Sequence, residues 1–361
     1  MSVPAPRVLA VPGRTLVPHP LRDQGPVESS ERTEMKYVLR RLVLFVITLW
    51  IALTINFFIP RLMPGNPAEA MMARFHGRVN ADAIKALEVA FGINDQQPLI
   101  VQYFQYLGNT FTGHFGVSLT FFPQPVSTVI VQALPWTLGL VGITTIIAFV
   151  FGTLIGLVAG WRRGGAVDSL LPPVFVITGA LPFFWVGLLL VLLFSVTLNV
   201  LPNAGAYDVT LTPGANMDFV SSVLSHAVLP AVTILIISIG GWILTMRNNV
   251  VTVVADDYIR MARAKGLSNM KIMYGYAARN AVLPNLAGFA MSLGFVVSGA
   301  ILVEYTFNYP GVGYMLLQAV NNQDYPLMQA MFVMITITVL VAVLICDFLT
   351  VLLDPRARTE G

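Results

Sequence analysis

The sequence predicts an all-α integral membrane protein of about six transmembrane helices, and three observations carry that prediction. Of its 361 residues, 56% are hydrophobic and only 11% charged, against about 25% charged in ordinary soluble domains; mean hydropathy is +0.75. Charge-free apolar runs of about 20 residues, enough to cross roughly 30 Å of hydrocarbon, recur along the chain. Basic residues gather on alternate sides of those runs. The runs are continuous and do not alternate, which argues against a β-barrel.

The first run is Leu42–Pro60, held between Arg41 and Arg61. The second is Leu138–Val158, ending before Trp161-Arg162-Arg163. The third and fourth are Leu171–Leu193 and Leu229–Thr245, and the fifth and sixth are Leu286–Val303 and Leu327–Ile345. With a cytoplasmic N-terminus, the inside segments hold Lys36, Arg40 and Arg41, then Arg162 and Arg163, then the cluster Arg247–Arg279, then Arg356 and Arg358. The outside loops 196–226 and 304–326 contain no Lys or Arg. Both termini are therefore expected inside.

Residues 1–34 are proline-rich, carry both charge signs and have no apolar h-region, so they read either as a disordered cytoplasmic tail or as a stretch ahead of a translation start at Met35, and not as a secretory signal. The domain plan is then residues 35–60 as the first helix, 61–135 as an external subdomain, 136–354 as the transmembrane core with a basic cytoplasmic loop at 247–284, and 355–361 as a second cytoplasmic tail. The external segment is too long for a plain connector. Val79–Phe91 reads as a short helix capped by Asn80 or Asp82. Val101–Phe111 is an aromatic-rich amphipathic stretch suited to a membrane interface. Two readings stay open for this subdomain: a surface that meets a delivery protein, or a cap over the span ends.

The most informative segment is 247–284, basic and glycine-punctuated between two apolar runs. Tyr258, Met261, Ala262 and Leu267 recur near helical spacing, with Arg260, Arg263 and Lys265 on other faces. Gly266 permits a turn at the end of this amphipathic helix. A second basic helix, Asn269–Arg279, follows, and Leu283-Pro284 is expected to open the fifth span. Composition alone leaves two roles open, an element that a partner protein pushes and an interfacial helix drawn to anionic lipid.

Other chemistry is thinly represented. The single cysteine, Cys346, forms no internal disulfide. The histidines His19, His76, His114 and His226 have no metal-ligand spacing. The methionines read as adaptable packing. There is no GxSxG sequence and no histidine within a confident span, which argues against an intramembrane enzyme. There is no GxxxxGK(S/T) sequence, so the chain has no P-loop for ATP.

Several stretches together resemble one family. Ala262, Lys265 and Gly266 precede Leu283-Pro284 at the spacing of the importer docking loop. Tyr37-Val38-Leu39-Arg40-Arg41, the closing Arg61-Leu62-Met63-Pro64-Gly65-Asn66-Pro67, Gly113-His114-Phe115-Gly116 and Leu181-Pro182-Phe183-Phe184-Trp185 add to it. So do Glu304-Tyr305-Thr306-Phe307-Asn308-Tyr309-Pro310-Gly311, Asp324-Tyr325-Pro326 and Leu353-Asp354-Pro355-Arg356. From Met35 to Arg358 the chain resembles the B-type permease subunit of dipeptide/oligopeptide ABC importers. The general docking loop reads Glu-Ala-Ala-x-x-x-Gly; here its first two positions are Arg260 and Met261, a loosening common in peptide-type permeases. Tyr276 stands where a basic residue or His is often seen, and Asn66 where Asp is common.

The resemblance implies a type I importer permease fold in a bacterial or archaeal cytoplasmic membrane. It implies a heterodimer with a C-type permease, two ATPase subunits that bind ATP and Mg, and an extracellular or periplasmic binding protein that delivers a peptide. No cofactor, metal or nucleic acid is expected on the chain itself. Tyr258, Arg260, Met261, Ala262, Arg263, Lys265, Gly266 and Leu267 are the implied ATPase-coupling residues. Glu304, with Tyr305, Phe307, Tyr309 and Pro310, is the candidate for the substrate pathway, since an acid beside aromatic faces suits a peptide's ammonium end and apolar side chains. The alternative reading of Glu304 is that it bonds loop amides. A nickel-chelate or other small-solute importer of the same architecture, and a passive channel, remain as alternatives.

Overall fold

The computed structural model describes residues 28–63, 97–298 and 300–353. Among these the chain is helical, apart from an isolated β-bridge between Val117 and Pro125. The expected helix Val79–Phe91 and the tail 355–361 lie outside the described residues, as does most of the tail 1–34. Contacts divide the chain at Leu42, so the start of the first helix is one unit and the body from Val43 onward is the other.

Helix α1 is Glu28–Leu62 and α2 is Leu99–Thr112. Helix α3, Val126–Thr137, runs through a π-helical turn at Leu138–Gly142 into α4, Ile143–Trp161. Helix α5 is Ala166–Gly179, and α6 is Phe183–Leu190 with a π-helical extension Val191–Thr197. Helix α7, Met217–Val254, is the longest, and its first turn is capped by Asn216, whose side chain accepts the Phe219 N–H at 2.8 Å. Helix α8 is Asp257–Ala264. Helix α9, Asn269–Ile272, passes through the π-helical turn Met273–Ala277 into α10, Ala278–Val296. Helices α11 Ile301–Thr306, α12 Val312–Asn321 and α13 Tyr325–Leu353 complete the order.

Among the described residues four stretches have the length and hydropathy of a bilayer crossing: Leu39–Leu62, Val126–Trp161, Met217–Val254 and Tyr325–Phe348. This differs from the expected six in two places. The third run is broken: α5 and α6 meet at 100°, so together they count as a fifth crossing at most. The cause is Pro182, which disfavours helical geometry at Leu181 and opens α6 instead. The fifth expected run, Leu286–Val303, is divided between α10 and α11. Arg279, Asn280 and Asn285 dilute the apolar character of α10. Leu283-Pro284 does not open a helix either; Pro284 lies inside α10, continuous with the basic turns that precede it.

The long helices pack through glycine. Gly152, Gly156 and Gly160 recur every four residues along α4 and face α7. A Cβ on Gly152 would lie 2.6 Å from Trp242 Cβ, one on Gly156 2.5 Å from the Ile243 carbonyl oxygen, and one on Gly160 2.7 Å from the Arg247 carbonyl oxygen. Side chains are thus excluded and the two backbones touch, the arrangement by which helices associate where no hydrophobic effect drives them together. Gly240 of α7 meets Phe175 of α5 in the same way, and Gly294 of α10 meets Ala342 of α13. One ion pair ties α5 to α7: Arg247 Nε donates to Asp168 Oδ1 at 2.8 Å, while Asp168 Oδ2 accepts the Gly164 N–H at 2.9 Å. A single side chain therefore links the turn after α4 to α7.

Candidate functional site

The two sets of residues singled out in the sequence lie at opposite ends of α7. The basic segment follows its C-terminus. Helix α8 begins at Asp257 and carries Arg263 in its last turn. Its underside is buried: Ile259 and Ala262 pack with Ile272 and Ala277, against Trp161 at the end of α4 and Val253 and Val254 at the end of α7. Tyr258 and Leu267 are partly buried at the edge of the same cluster. Arg260, Met261, Arg263, Lys265 and Gly266 are exposed, Met261 by 59%. Arg260 reaches Asp257 at 3.4 Å, and the Arg263 guanidinium lies 5.7 Å from the Trp161 ring centre.

Gly266 takes the left-handed conformation that the turn requires, with φ +74°. Its N–H donates to the Arg263 carbonyl at 2.9 Å, and Leu267 N–H donates to Ala262 at 3.4 Å. This closes α8 and reverses the chain into α9. Beside it, Tyr258, Gly275, Tyr276, Arg279 and Asn280 line an open cleft of about 360 Å³. Asn280 Nδ2 donates to the Tyr258 hydroxyl at 2.7 Å and fixes one wall of it. The segment is thus a basic, exposed face on an apolar footing shared by the ends of α4 and α7.

At the other end, Glu304 is fully buried in α11. Its Oε1 accepts from the Thr137 hydroxyl at 2.8 Å, and its Oε2 accepts the N–H groups of Gly313 at 2.7 Å and Tyr314 at 3.1 Å. Those amides are unpaired donors in the first turn of α12. Thr137 Oγ1 in turn accepts the Val312 N–H at 2.7 Å. Gly311 and Gly313 make the room: a Cβ on Gly311 would lie 2.5 Å from the Glu304 carboxyl carbon, and one on Gly313 3.0 Å from its Oε2. The carboxyl group therefore joins α11, α12 and the end of α3.

The aromatic residues nearby divide into two groups. Phe307 and Tyr309 are each 2% exposed and belong to a core with Leu140, Leu229, Val296 and Ala206. Tyr309 stands edge-on to Trp136 at 5.9 Å, and the Phe307 carbonyl accepts the Gly205 N–H at 2.8 Å. Tyr305 is 43% exposed and Pro310 is half-buried. Of the five residues, Tyr305 is the one that presents a free face.

Sequence reasoning missed Thr137, whose place at the end of an apolar helix gave no signal. It also passed over Asp324, a buried acid in the following loop that accepts from the Ser118 hydroxyl at 2.5 Å, from the Thr120 N–H at 2.8 Å and from the Leu327 N–H at 3.1 Å. An acid in a loop without Lys or Arg was the available clue. Among the described residues no three His, Cys, Asp or Glu side chains gather as a metal site.

The described residues thus form a helical body with apolar, membrane-length helices, an exposed basic segment beyond one end of α7 and a buried, hydrogen-bonded acid toward the other, and the class it belongs to is that of membrane permease components. The chain belongs to the family described as binding-protein-dependent transport system inner membrane component, which matches residues 152–359; the family's N-terminal region matches residues 34–141. It is similar to the dipeptide transport system permease protein DppB of Lactococcus lactis, 31% identical over 326 residues, covering 90% of this chain and 99% of that protein. It is also similar to the di/tripeptide transport system permease protein DppB of Pseudomonas aeruginosa, 32% identical with 90% and 99% covered. The oligopeptide transport system permease protein AppB of Bacillus subtilis is 32% identical, with 89% and 98% covered.

Proposed function

We propose that this chain is a permease subunit of an ATP-driven importer of di- or oligopeptides. The observation that carries the reading is the near full-length similarity to three permeases named for dipeptides, di/tripeptides and oligopeptides. The basic segment supports it with a physical role. An exposed helix footed on the ends of two long membrane helices is suited to receive a push from a protein below and pass it on.

In this reading residues 247–284 are cytoplasmic, and Arg260, Met261, Arg263, Lys265 and Gly266 meet an ATPase subunit. Ile259 and Ala262 seat the helix. Two such ATPases hold ATP and Mg, a C-type permease supplies the other membrane half, and a binding protein outside delivers the peptide. Both termini are cytoplasmic in the inner membrane of a bacterium or archaeon, which in this reading makes the broken pair α5–α6 and the less apolar α10 crossings as well, six in all. Residues 61–135 lie outside, and Tyr305 with Pro310 lines the outer part of the pathway while Glu304 holds the loop that carries them.

The test is accumulation of labelled di- and oligopeptides by proteoliposomes holding the assembled transporter, with ATP on the ATPase side and binding protein on the other. Uptake that requires both components is the expected result. Uptake without ATP would point to a passive channel. ATPase activity stimulated by a nickel chelate and not by peptides would favour that solute class.

A further inference from the structure

Helix α2 carries three distinct faces on 14 residues without a single charge. One faces α1 and is hydrogen-bonded to it. The Tyr103 hydroxyl pairs with Thr54 Oγ1 at 2.7 Å, the Tyr106 hydroxyl accepts from Asn56 Nδ2 at 2.9 Å, and Gln102 Oε1 accepts from Arg61 at 3.0 Å. A second face is apolar and open: Ile100, Phe104 and Phe111 are 60%, 64% and 72% exposed. At 3.6 residues per turn they fall within about 40° of one another. The third face, Gln105, Asn109 and Thr112, is exposed and polar, roughly 130° further round.

We infer that α2 lies in the membrane surface, with Ile100, Phe104 and Phe111 in the lipid of the leaflet at the C-terminal end of α1, and Gln105, Asn109 and Thr112 in water. Three observations select lipid as the occupant. The apolar stripe is matched by exposed apolar residues on the crossing helix α1 to which α2 is bonded, where Ile55, Phe58 and Leu62 are 54%, 44% and 80% exposed. The depth fits: α2 is bonded to the last turns of α1, where Arg61 curls back over the Phe57 ring at 3.6 Å and marks the end of the apolar span. The polar face lies where an interfacial helix turns to water, with the apolar face entering about 5–10 Å into the boundary. A protein-covered stripe would instead need a partner surface over both exposed faces or a boundary between them.

The test is site-directed spin labelling of the full chain, together with the subunits that co-purify with it, in bilayers of phosphatidylethanolamine and phosphatidylglycerol. Cys346→Ala removes the one native thiol, and single cysteines replace Phe104, Phe111 and Asn109 in turn. At Phe104 and Phe111, collisions of the nitroxide with oxygen should exceed those with a water-soluble nickel chelate several-fold, and at Asn109 the order should reverse. Low accessibility to both reagents at Phe104 and Phe111 would show that protein covers the stripe and would overturn the inference. High accessibility to the nickel chelate there would place it in water, with the same consequence. Two label positions on the stripe keep the test decisive if one variant fails to assemble. The outcome does not depend on which solute is carried, so it stands or falls apart from the peptide reading.

Discussion

Thr137 and Glu304, 167 residues apart in the chain, share a buried hydrogen bond of 2.8 Å. Thr137 serves twice in the same place, donating to the acid and accepting the Val312 N–H. Two helix ends and a short helix are locked by one hydroxyl and one carboxyl group.

Thr137→Val keeps the shape and removes both bonds, leaving the Val312 N–H and one Glu304 oxygen without a partner. The expected cost is about 1–3 kcal/mol, read as a lower thermal-unfolding midpoint of the purified protein. Glu304→Gln places an NH2 group where either the Thr137 hydroxyl or the α12 amides donate, so loss of assembled protein should precede loss of transport. A Glu304→Gln protein of normal stability but impaired uptake would restore the acid to the pathway itself.

Gly156→Ala tests the contact between α4 and α7. Its methyl would meet a backbone oxygen at 2.5 Å, which a side-chain rotation cannot relieve. Overpacking of this kind costs about 1–3 kcal/mol, and Gly156→Leu should prevent accumulation in the membrane. Gly139→Ala, on the same rod with nothing within 4 Å of its Cβ, is the control. Equal yields of the Gly156 and Gly139 variants would show that the helices separate more readily than the structure indicates.

At Gly266 the demand is conformational, because nothing lies within 4 Å of an added Cβ. Gly266→Ala should cost about 1–2 kcal/mol for its positive φ, and Gly266→Asn less. Gly266→Pro conflicts with φ and removes the N–H given to Arg263. It should abolish uptake and ATPase binding while the chain stays in the membrane. Wild-type binding and uptake by Gly266→Pro would remove this turn from coupling.

Side assignment is checked with cysteines at Val209, 92% exposed in the loop before α7, and at Ser268. In the Cys346→Ala chain in intact cells, an impermeant maleimide should label position 209 and leave 268 untouched. Asn216 is avoided as a probe because it caps α7. Labelling of both positions would put the basic segment outside.

The sequence made the crossings legible wherever hydropathy is a local property, as in Leu42–Pro60 and Leu327–Ile345. It misled where one proline outweighed an apolar run: Leu181-Pro182 was in view, yet the run around it suggested a straight helix. The turn at Gly266 was readable because a single residue type supplies it. That Glu304 bonds loop amides was one of the two readings the sequence left open, and the Gly313 and Tyr314 N–H groups fit it; its other partner, Thr137, was not legible, because a hydroxyl 167 residues away gives no local signal. The spacing of Gly152, Gly156 and Gly160 was equally visible, but nothing local says which helix it faces.

That glycine seam has a mechanical consequence. Backbones in contact leave no side-chain cushion to absorb a displacement, so α4 and α7 have little compliance toward each other. Ile259 rests on Trp161 of α4 and on Val253 and Val254 of α7, the tips of both members. In the proposed coupling role, a push on α8 would therefore load the pair jointly. In that role, a displacement at this end of α7 would be felt toward the other, about 57 Å away at helical rise for 38 residues, in the half where Leu229 packs in one core with Phe307 and Tyr309.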